Sequence, residues 1–505
     1  MKLYKLIFFL PLFVLSSCDL DREPFGVSNF WNSEADVWLG LNAAYEPFYN
    51  EEGFGRGHFW TGPASDDMVI NRNKNDDDQL TKFIATSNAS GGQFSNWQLM
   101  YRTIRRANDV MANTPNVTMS DKSRDLIMGE ANFLCAYTYF YLAKRYGGLP
   151  FYDWQKPLEI NKPRETKTET YIRIEAYLKE AIARFEAQGA WTRDKDALGR
   201  PNLGAAYGLL AKVYAHWGKY AEAKAAAEKV INSGKYSLNK ANNNGYANLF
   251  SLAGEKHDEV LFNLVNKGVR NQGTVTSVIL LSGTLSGGTG WYYFAPTKSL
   301  YNAFAEGDLR REVTMVGAGD TIHYLGKETV LTSEMINDMT TGYMCTKYGA
   351  AYNELTAWDW ETGADVPLLR YSDVLLIHAE AEIFLAGGGP TNRTKGVAAA
   401  ASSFNEVHVR AFGGNLSKAI AAPTFDDLVK ERRCELAYED ERHYDLVRWG
   451  IAKEVYAAET TATDPRGPRN FDPVKNAHFP IPQKEIENTD YLLVNNPKPG
   501  YSTFE

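Results

Sequence analysis

Between Asn202 and Tyr236 large and small side chains recur in a pattern that suits two helices lying against each other. Tyr207, Leu210, Ala211 and Tyr214 share one helical face, Ala223 follows on a second, and Gly218 falls at the turn between them. Ala211 and Ala223 let the two backbones approach closely, while Leu210 and Tyr214 fill the grooves beside them. A unit of this kind cannot bury its apolar face alone. It becomes stable when neighbours of the same type stack on it, so the spacing implies further helices elsewhere in the chain.

The spacing is that of a tetratricopeptide repeat, agreeing at five positions and lacking the terminal proline. Further helices are legible from capping and periodicity. Ser33-x-x-Asp36 is a capping signal, and Val37, Leu41, Ala44 and Phe48 then fall on one side. A second helix is expected over Asp121–Tyr146, with Lys144 and Arg145 in its last turn and Gly147-Gly148 beyond. Others are expected over Leu369–Ala386, about Val397–Phe412 and about Phe425–Tyr456. The fold class is therefore mainly α: a tetratricopeptide-like helical-hairpin scaffold with an irregular, loop-rich ligand-binding lobe containing short strands. Scaffold helices occupy about 33–49, 98–235 and 367–456 of a single domain, 33–505. Two insertions, about 50–97 and 236–366, lack helical periodicity but are rich in aromatic residues. Long irregular segments in compact proteins are functional or disordered, and aromatic content argues against disorder, so these insertions are the expected working surface.

The N-terminus adds an address. Lys2 and Lys5 precede an apolar run from Leu6 to Leu15, and Leu15-Ser16-Ser17-Cys18 follows. A run of about ten apolar residues is too short to span a bilayer and right for a secretory signal. Residues 1–17 read as a lipoprotein signal peptide, Cys18 as the lipidated residue and 18–32 as its tether. No second apolar run long enough to span follows, so contact with lipid is expected through the anchor alone. Loss of Lys2 and Lys5 takes the net charge from −8 to −10, which disfavours a nucleic-acid partner. Cys135, Cys345 and Cys434 remain, an odd and widely spaced set expected to be buried free thiols.

No constellation of catalytic or metal-binding type stands out. Carboxylate pairs occur at Asp66-Asp67, Asp359 with Glu361, Glu380 with Glu382 and Glu435 with Glu439. The last pair belongs to a stripe, Glu431, Glu435, Glu439, Arg442, Asp445 and Arg448, expected as a mixed-charge row along one helix face. The eight histidines show no metal-ligand spacing. Asn71-x-Asn73-x-Asn75-x-Asp77 faintly resembles a calcium loop but has Lys82 at its twelfth position; it reads as a solvated loop. No metal or cofactor is expected. The residue class left over is aromatic, with 11 Trp and 29 Tyr. Trp291-Tyr292 follows a glycine-rich loop, and Trp358 and Trp360, two apart in a polar loop, face one way if extended. Sugar rings present flat C–H faces between hydroxyl edges, so a site for them needs aromatic plates with polar partners at the margin. Trp291, Tyr292, Trp358 and Trp360 are candidate plates, and Trp60, Asp67 and Arg72 candidate plate or margin residues from the first insertion.

Several longer motifs resemble the SusD-like (RagB/SusD) lipoproteins. They are Pro367-Leu368-Leu369-Arg370-Tyr371-Ser372-Asp373-Val374-Leu375-Leu376 with Ala379-Glu380-Ala381, and Glu431 to Glu439 continuing through Arg442 and Asp445 to Gly450. Phe479-Pro480-Ile481-Pro482, Asn495-Asn496-Pro497, Trp97-x-x-x-Tyr101-x-x-Ile104-x-Arg106-Ala107-Asn108 and Tyr146 to Pro150 agree in the same order. The resemblance implies four tetratricopeptide-like helix pairs and an outer-membrane lipoprotein that faces the cell exterior. It also implies a glycan ligand, captured without chemistry and passed to a SusC-like TonB-dependent transporter. Asp19, Asp21 and Glu23 suit the surface-export signals of such lipoproteins. The family's ligand residues lie in variable loops, so none carries over by position. Asp440 departs from the pattern, standing where many relatives have glycine. Capture of peptides or another nutrient, and a glycoside hydrolase on the same helices, are the alternatives.

Overall fold

The computed structural model describes residues 30–72, 79–84, 86–88, 91–152, 161–192, 197, 199–240, 245–252, 257–267, 273–349 and 361–495. Cys18 with its signal and most of its tether, Asn73 to Asp77, and Trp358 and Trp360 lie outside these residues. Eight longer helices form the scaffold: α1 (Glu34–Tyr49), α2 (Gly91–Asn113), α3 (Asp121–Tyr146), α4 (Lys167–Ala187), α5 (Leu203–Trp217), α6 (Tyr220–Asn232), α7 (Tyr371–Leu385) and α8 (Ala401–Ala411). Each packs on its predecessor, and α6 packs on α7 although more than a hundred residues separate them in sequence. Read in order, these are four successive pairs, the number that the resemblance to the SusD-like proteins implies.

Local chemistry accounts for the ends. At α1 the Asp36 backbone N–H donates to Ser33 Oγ, and the Ser33 backbone N–H donates back to the Asp36 carboxylate at 2.8 Å, which satisfies two N-terminal donors. Between α5 and α6, Gly218 takes a left-handed φ of 76°, a conformation glycine adopts at no steric cost. Ala211 and Ala223 are fully buried. On the other side of α5 a β-carbon on Gly208 would stand 2.8 Å from Leu261 and 3.2 Å from Val374, so this helix also needs a small residue where it meets the lobe and α7.

Among the described residues, four two-stranded antiparallel sheets lie outside the helix pairs. β1 (Met68–Ile70) pairs with β3 (Phe294–Pro296), β2 (Val260–Leu264) with β8 (Val366–Arg370), β4 (Met315–Gly317) with β7 (Tyr343–Cys345), and β5 (Thr321–Tyr324) with β6 (Lys327–Val330). The second insertion thus leaves the scaffold at β2 and returns beside it at β8. Inside it a second small core gathers Val278, Leu281, Val316, Ile336, Met339 and Met344.

Two expectations change. The region 425–456 is not one helix: α9 (Phe425–Glu435) ends, and α10 (Arg442–Arg448) and α11 (Ala452–Ala458) follow as separate pieces. Tyr438 and Asp440 have φ of 65° and 59°, incompatible with a continuing helix. Lys347 takes over the end of α9, its Nζ donating to the carbonyls of Glu435 at 3.3 Å and Ala437 at 2.6 Å, groups a helix terminus leaves without partners. The charge stripe is therefore not a row along one face. The left-handed φ at Asp440 is one that glycine adopts at no steric cost and a short acidic residue tolerates, and here its carboxylate pairs with Arg145 at 2.5 Å.

The first insertion is the other change. Residues 57–71 are buried throughout, so this stretch is a wedge between lobe and scaffold rather than an exposed loop. Its carbonyls are taken up by the C-terminal segment: Arg469 donates to Ala64 at 2.7 Å and Arg466 to Ser65 at 2.9 Å. The three described cysteines are buried and free, as expected from their placement.

Candidate functional site

Trp291, Tyr292 and Arg72 are brought together on the lobe. Backbone bonds hold the aromatic run: Trp291 N–H to Val278 O at 2.7 Å, Tyr293 N–H to Ile279 O at 2.8 Å, Tyr292 N–H to Leu281 O at 3.0 Å. Gly290 permits this approach, since a β-carbon there would stand 2.4 Å from the Leu281 carbonyl oxygen. Tyr292 is left at φ 42°, a conformation bulky residues avoid and which costs of order 1–3 kcal/mol. Asn71 secures it: its Nδ2 donates to Tyr292 O at 2.9 Å and Asp338 O at 2.7 Å, and its Oδ1 accepts from Thr340 N–H at 2.7 Å. Asn71, read from the sequence as part of a solvated loop, is instead a buried clamp joining three segments.

Next to that clamp, the Arg72 guanidinium lies over two rings, 5.0 Å from the centroid of Tyr292 and 5.4 Å from that of Tyr293, within the range of cation–π attraction. It also donates weakly to Trp291 O at 3.4 Å. Trp291 meets Tyr293 edge-on at 6.3 Å. Arg72, Trp291 and Tyr292 are half-buried, and Tyr293 is buried behind them. At the margin, exposed Thr284 donates to Asn337 Oδ1 at 2.9 Å, while Asp338 accepts from Ser282 Oγ at 2.6 Å and Thr284 N–H at 3.0 Å. The result is a rigid set of ring faces bordered by hydroxyl, amide and guanidinium groups.

Trp60 and Asp67 do not join it. Trp60 is 5% exposed, edge-on to Phe294 at 6.1 Å, with Nε1–H donating to Glu52 at 2.6 Å. Asp67 is 1% exposed and accepts from Arg433 Nε at 2.7 Å. In this structure both are parts of the wedge and present no face to a ligand. Trp358 and Trp360 lie outside the described residues. Tyr293 and Asn71 are the site residues that pattern reading missed as such. Tyr293 was within reach, being contiguous with Trp291-Tyr292; Asp338, far away in sequence, gave no local signal.

Three of the four carboxylate pairs are occupied as well; Asp359, of the fourth, lies outside the described residues. Glu435 is fully buried and receives three guanidinium groups, Arg370 at 2.8 Å, Arg410 at 2.5 Å and Arg310 at 3.0 Å. Burial alone would raise its pKa, but the three arginines outweigh that and hold it well below the usual carboxylate range. Glu439 pairs with Arg370 at 2.6 Å and Lys347 at 2.5 Å, Asp66 with Arg442 at 2.9 Å and Arg433 at 3.0 Å, and Glu380 with Arg448. Glu382 pairs with Lys224 at 2.8 Å. A glycosidase acid needs a proton to give, and hence a raised pKa; Glu435 and Asp66 are pushed the other way, and Asp67, which burial pushes up, is only 1% exposed and held against Arg433.

Helix pairs stacked in series, with a loop-built aromatic lobe inserted between the sixth and seventh helices, define the class: a tetratricopeptide-like scaffold carrying a separate lobe. The chain belongs to the SusD family, whose model matches residues 237–501, and a second model, described as starch-binding associating with outer membrane, matches 24–215. Among relatives, the chain is 26% identical to SusD-like protein P2 of Formosa agariphila, over 99% of this chain and all of that one. It is 26% identical to the starch-binding protein SusD of Bacteroides thetaiotaomicron over 72% of each. The fold also matches that of surface glycan-binding protein A from Bacteroides thetaiotaomicron in complex with laminarihexaose. That likeness has a TM-score of 0.74 at 23% identity and covers 92% of this chain and all of the other.

Proposed function

We propose that this protein captures a glycan on the Trp291–Tyr292–Arg72 platform, without chemical change, and delivers it to a SusC-like TonB-dependent transporter. The observation that carries the reading is the platform itself: half-buried rings pinned by backbone bonds to the short helix Thr276–Leu280, bordered by Thr284 and Asn337. Relatives described as binding starch or laminarin-type chains support the ligand class. Stacking on one platform gives modest affinity after ordering costs, and repeated units on a polymer compensate through avidity. The lipobox at Cys18, the acidic residues after it and the family model's association with the outer membrane support a lipid-anchored protein at the cell surface. Among the described residues no helix is long and apolar enough to cross a membrane. The exposed side of the helix pairs is the proposed transporter face, since stacked helical repeats bind through such surfaces.

A binding screen of protein beginning at Asp19 tests this reading, run against neutral and acidic polysaccharides and against peptides. Binding to a polysaccharide without release of shorter products is the expected result. Binding to peptides alone would return the platform to a different nutrient, and product release would establish a hydrolase.

A further inference from the structure

We propose that the ligand of the platform is an acidic glycan, with a carboxylate or sulfate ester held by Arg72 while the ring beside it stacks on Trp291 or Tyr292. The inference rests on the glycan reading and names its substrate class.

Tyr293 has a guanidinium on it from each of two arginines, and they differ in one respect. Arg56, 4.7 Å from the ring centroid, is neutralised by Glu51 at 2.7 Å and Glu52 at 2.6 Å. Arg72, 5.4 Å from the same centroid, has no carboxylate partner among the described residues. The other lobe arginines with described side chains follow Arg56: Arg310 holds Asp308 and Glu431, and Arg311 holds Asp320 and Glu312. Asp338, whose backbone carbonyl is tied to Asn71, has its carboxylate committed to Ser282 and Thr284. A planar guanidinium presents a fork that matches carboxylate or sulfate oxygens bidentately. Here one face of that fork is fixed on tyrosine and, among the described residues, it makes one long bond, to Trp291 O. Fixing it in place removes much of the ordering cost that a free arginine would bring to the contact.

The chain's net charge of −8 opposes an anion at long range, but at physiological ionic strength charges beyond about 8 Å are largely screened. The local guanidinium therefore decides. A neutral glycan would gain from the rings and leave the fork unused.

The test pairs charged and neutralised forms of the same polymers: polygalacturonate and alginate beside their carboxyl-reduced forms, and carrageenan and dextran sulfate beside their desulfated forms, with laminarin and starch as neutral references. The carboxylate and sulfate arms separate the two sources of negative charge. At least one acidic polymer is expected to bind, to lose about tenfold on neutralisation, and to weaken with added salt. Arg72→Gln should lose the same factor for the acidic form and leave its neutralised form unchanged; Arg72→Lys, keeping charge but not the fork, should fall between. Melting temperatures of both variants close to that of the parent exclude a folding defect, and if Arg72→Gln fails to fold the neutralisation pairs alone decide. Preferred binding of a neutral glycan, or equal affinity of Arg72→Gln for an acidic one, overturns the proposal and leaves glycan capture standing. Failure of every polymer to bind overturns both.

Discussion

Two groups of arginines mark two regions of this protein. At the seam between scaffold and lobe, Arg370, Arg410 and Arg310 converge on one buried carboxylate, Glu435, and every charge there has an answer. On the lobe face Arg72 lies on two tyrosines and has no carboxylate partner among the described residues. The first arrangement leaves nothing for a ligand to do. The second has a ring, a strained backbone and a cationic edge held ready. The difference teaches that the longest recognisable motifs of this chain are cement, and that the proposed site lies where motifs are absent.

Removing the centre of the seam should break that contrast most severely. Glu435→Ala leaves three buried guanidinium groups facing each other, and loss of one partner from such a network costs about 3 to 5 kcal/mol. Denaturant unfolding should show that loss, or a chain that no longer folds. A change under about 1 kcal/mol would mean the seam is solvated and the contrast is false.

Acid should attack the seam next. Burial pushes the His58 and His443 imidazoles down to about 4 and about 3, whereas unfolded histidine takes a proton near about 6.5. The unfolded chain thus binds the proton first, so this part of the stability is complete above about pH 6.5 and is lost as pH falls towards the folded values. Burial opposes the charges of Asp66 and Glu435, but their arginines outweigh it, and their contribution is present above the unfolded values near about 4 and lost below them. Melting temperature should therefore start to fall near pH 6.5 and fall faster below about pH 4. A flat profile from pH 7 to 4 would count against neutral buried histidines.

The platform gives the smallest effect on stability and the sharpest on binding. Trp291→Ala should weaken glycan binding roughly tenfold, about 1.4 kcal/mol, while the melting temperature moves by a few degrees, because the ring is half-buried. Loss of fold without a separable loss of binding would return Trp291 to the core and erase the distinction between the regions.

Much of the scaffold was legible because helix signals are local. Ser33 with Asp36, Ala211 with Ala223, and Gly147 after Arg145 act within a few residues, and the structure places each where its spacing requires. The stripe from Glu431 to Arg448 was misleading for the opposite reason. Its regular spacing matches a helix, yet its partners, Arg370, Arg410, Arg310 and Asp66, come from other elements, and no local rule reveals that Tyr438 and Asp440 turn left-handed to meet them. Trp60 and Asp67 illustrate the same limit at the site. Residue type suggested a plate and a margin, but burial depends on the distant Phe294 and Arg433. Arg72 and Tyr292 met because Asn71 clamps three segments, a tertiary contact the sequence pattern does not encode.

The pairing of β2 with β8 has a consequence for how such a protein changes over time. The second insertion starts and finishes at one short ladder, so the scaffold meets 265–365 as a cassette with a fixed socket. Lengthening a closed loop costs little, about 0.6 kcal/mol for each doubling, so loops can be rebuilt or exchanged without disturbing the helix pairs. The clasp between β1 and β3, with Asn71, sets one condition for a transplanted cassette, a matching partner for residues 68–72; the contacts that Arg310 and Lys347 make from the cassette to Glu435 and the end of α9 set another. The lobe can then change while the frame stays as it is.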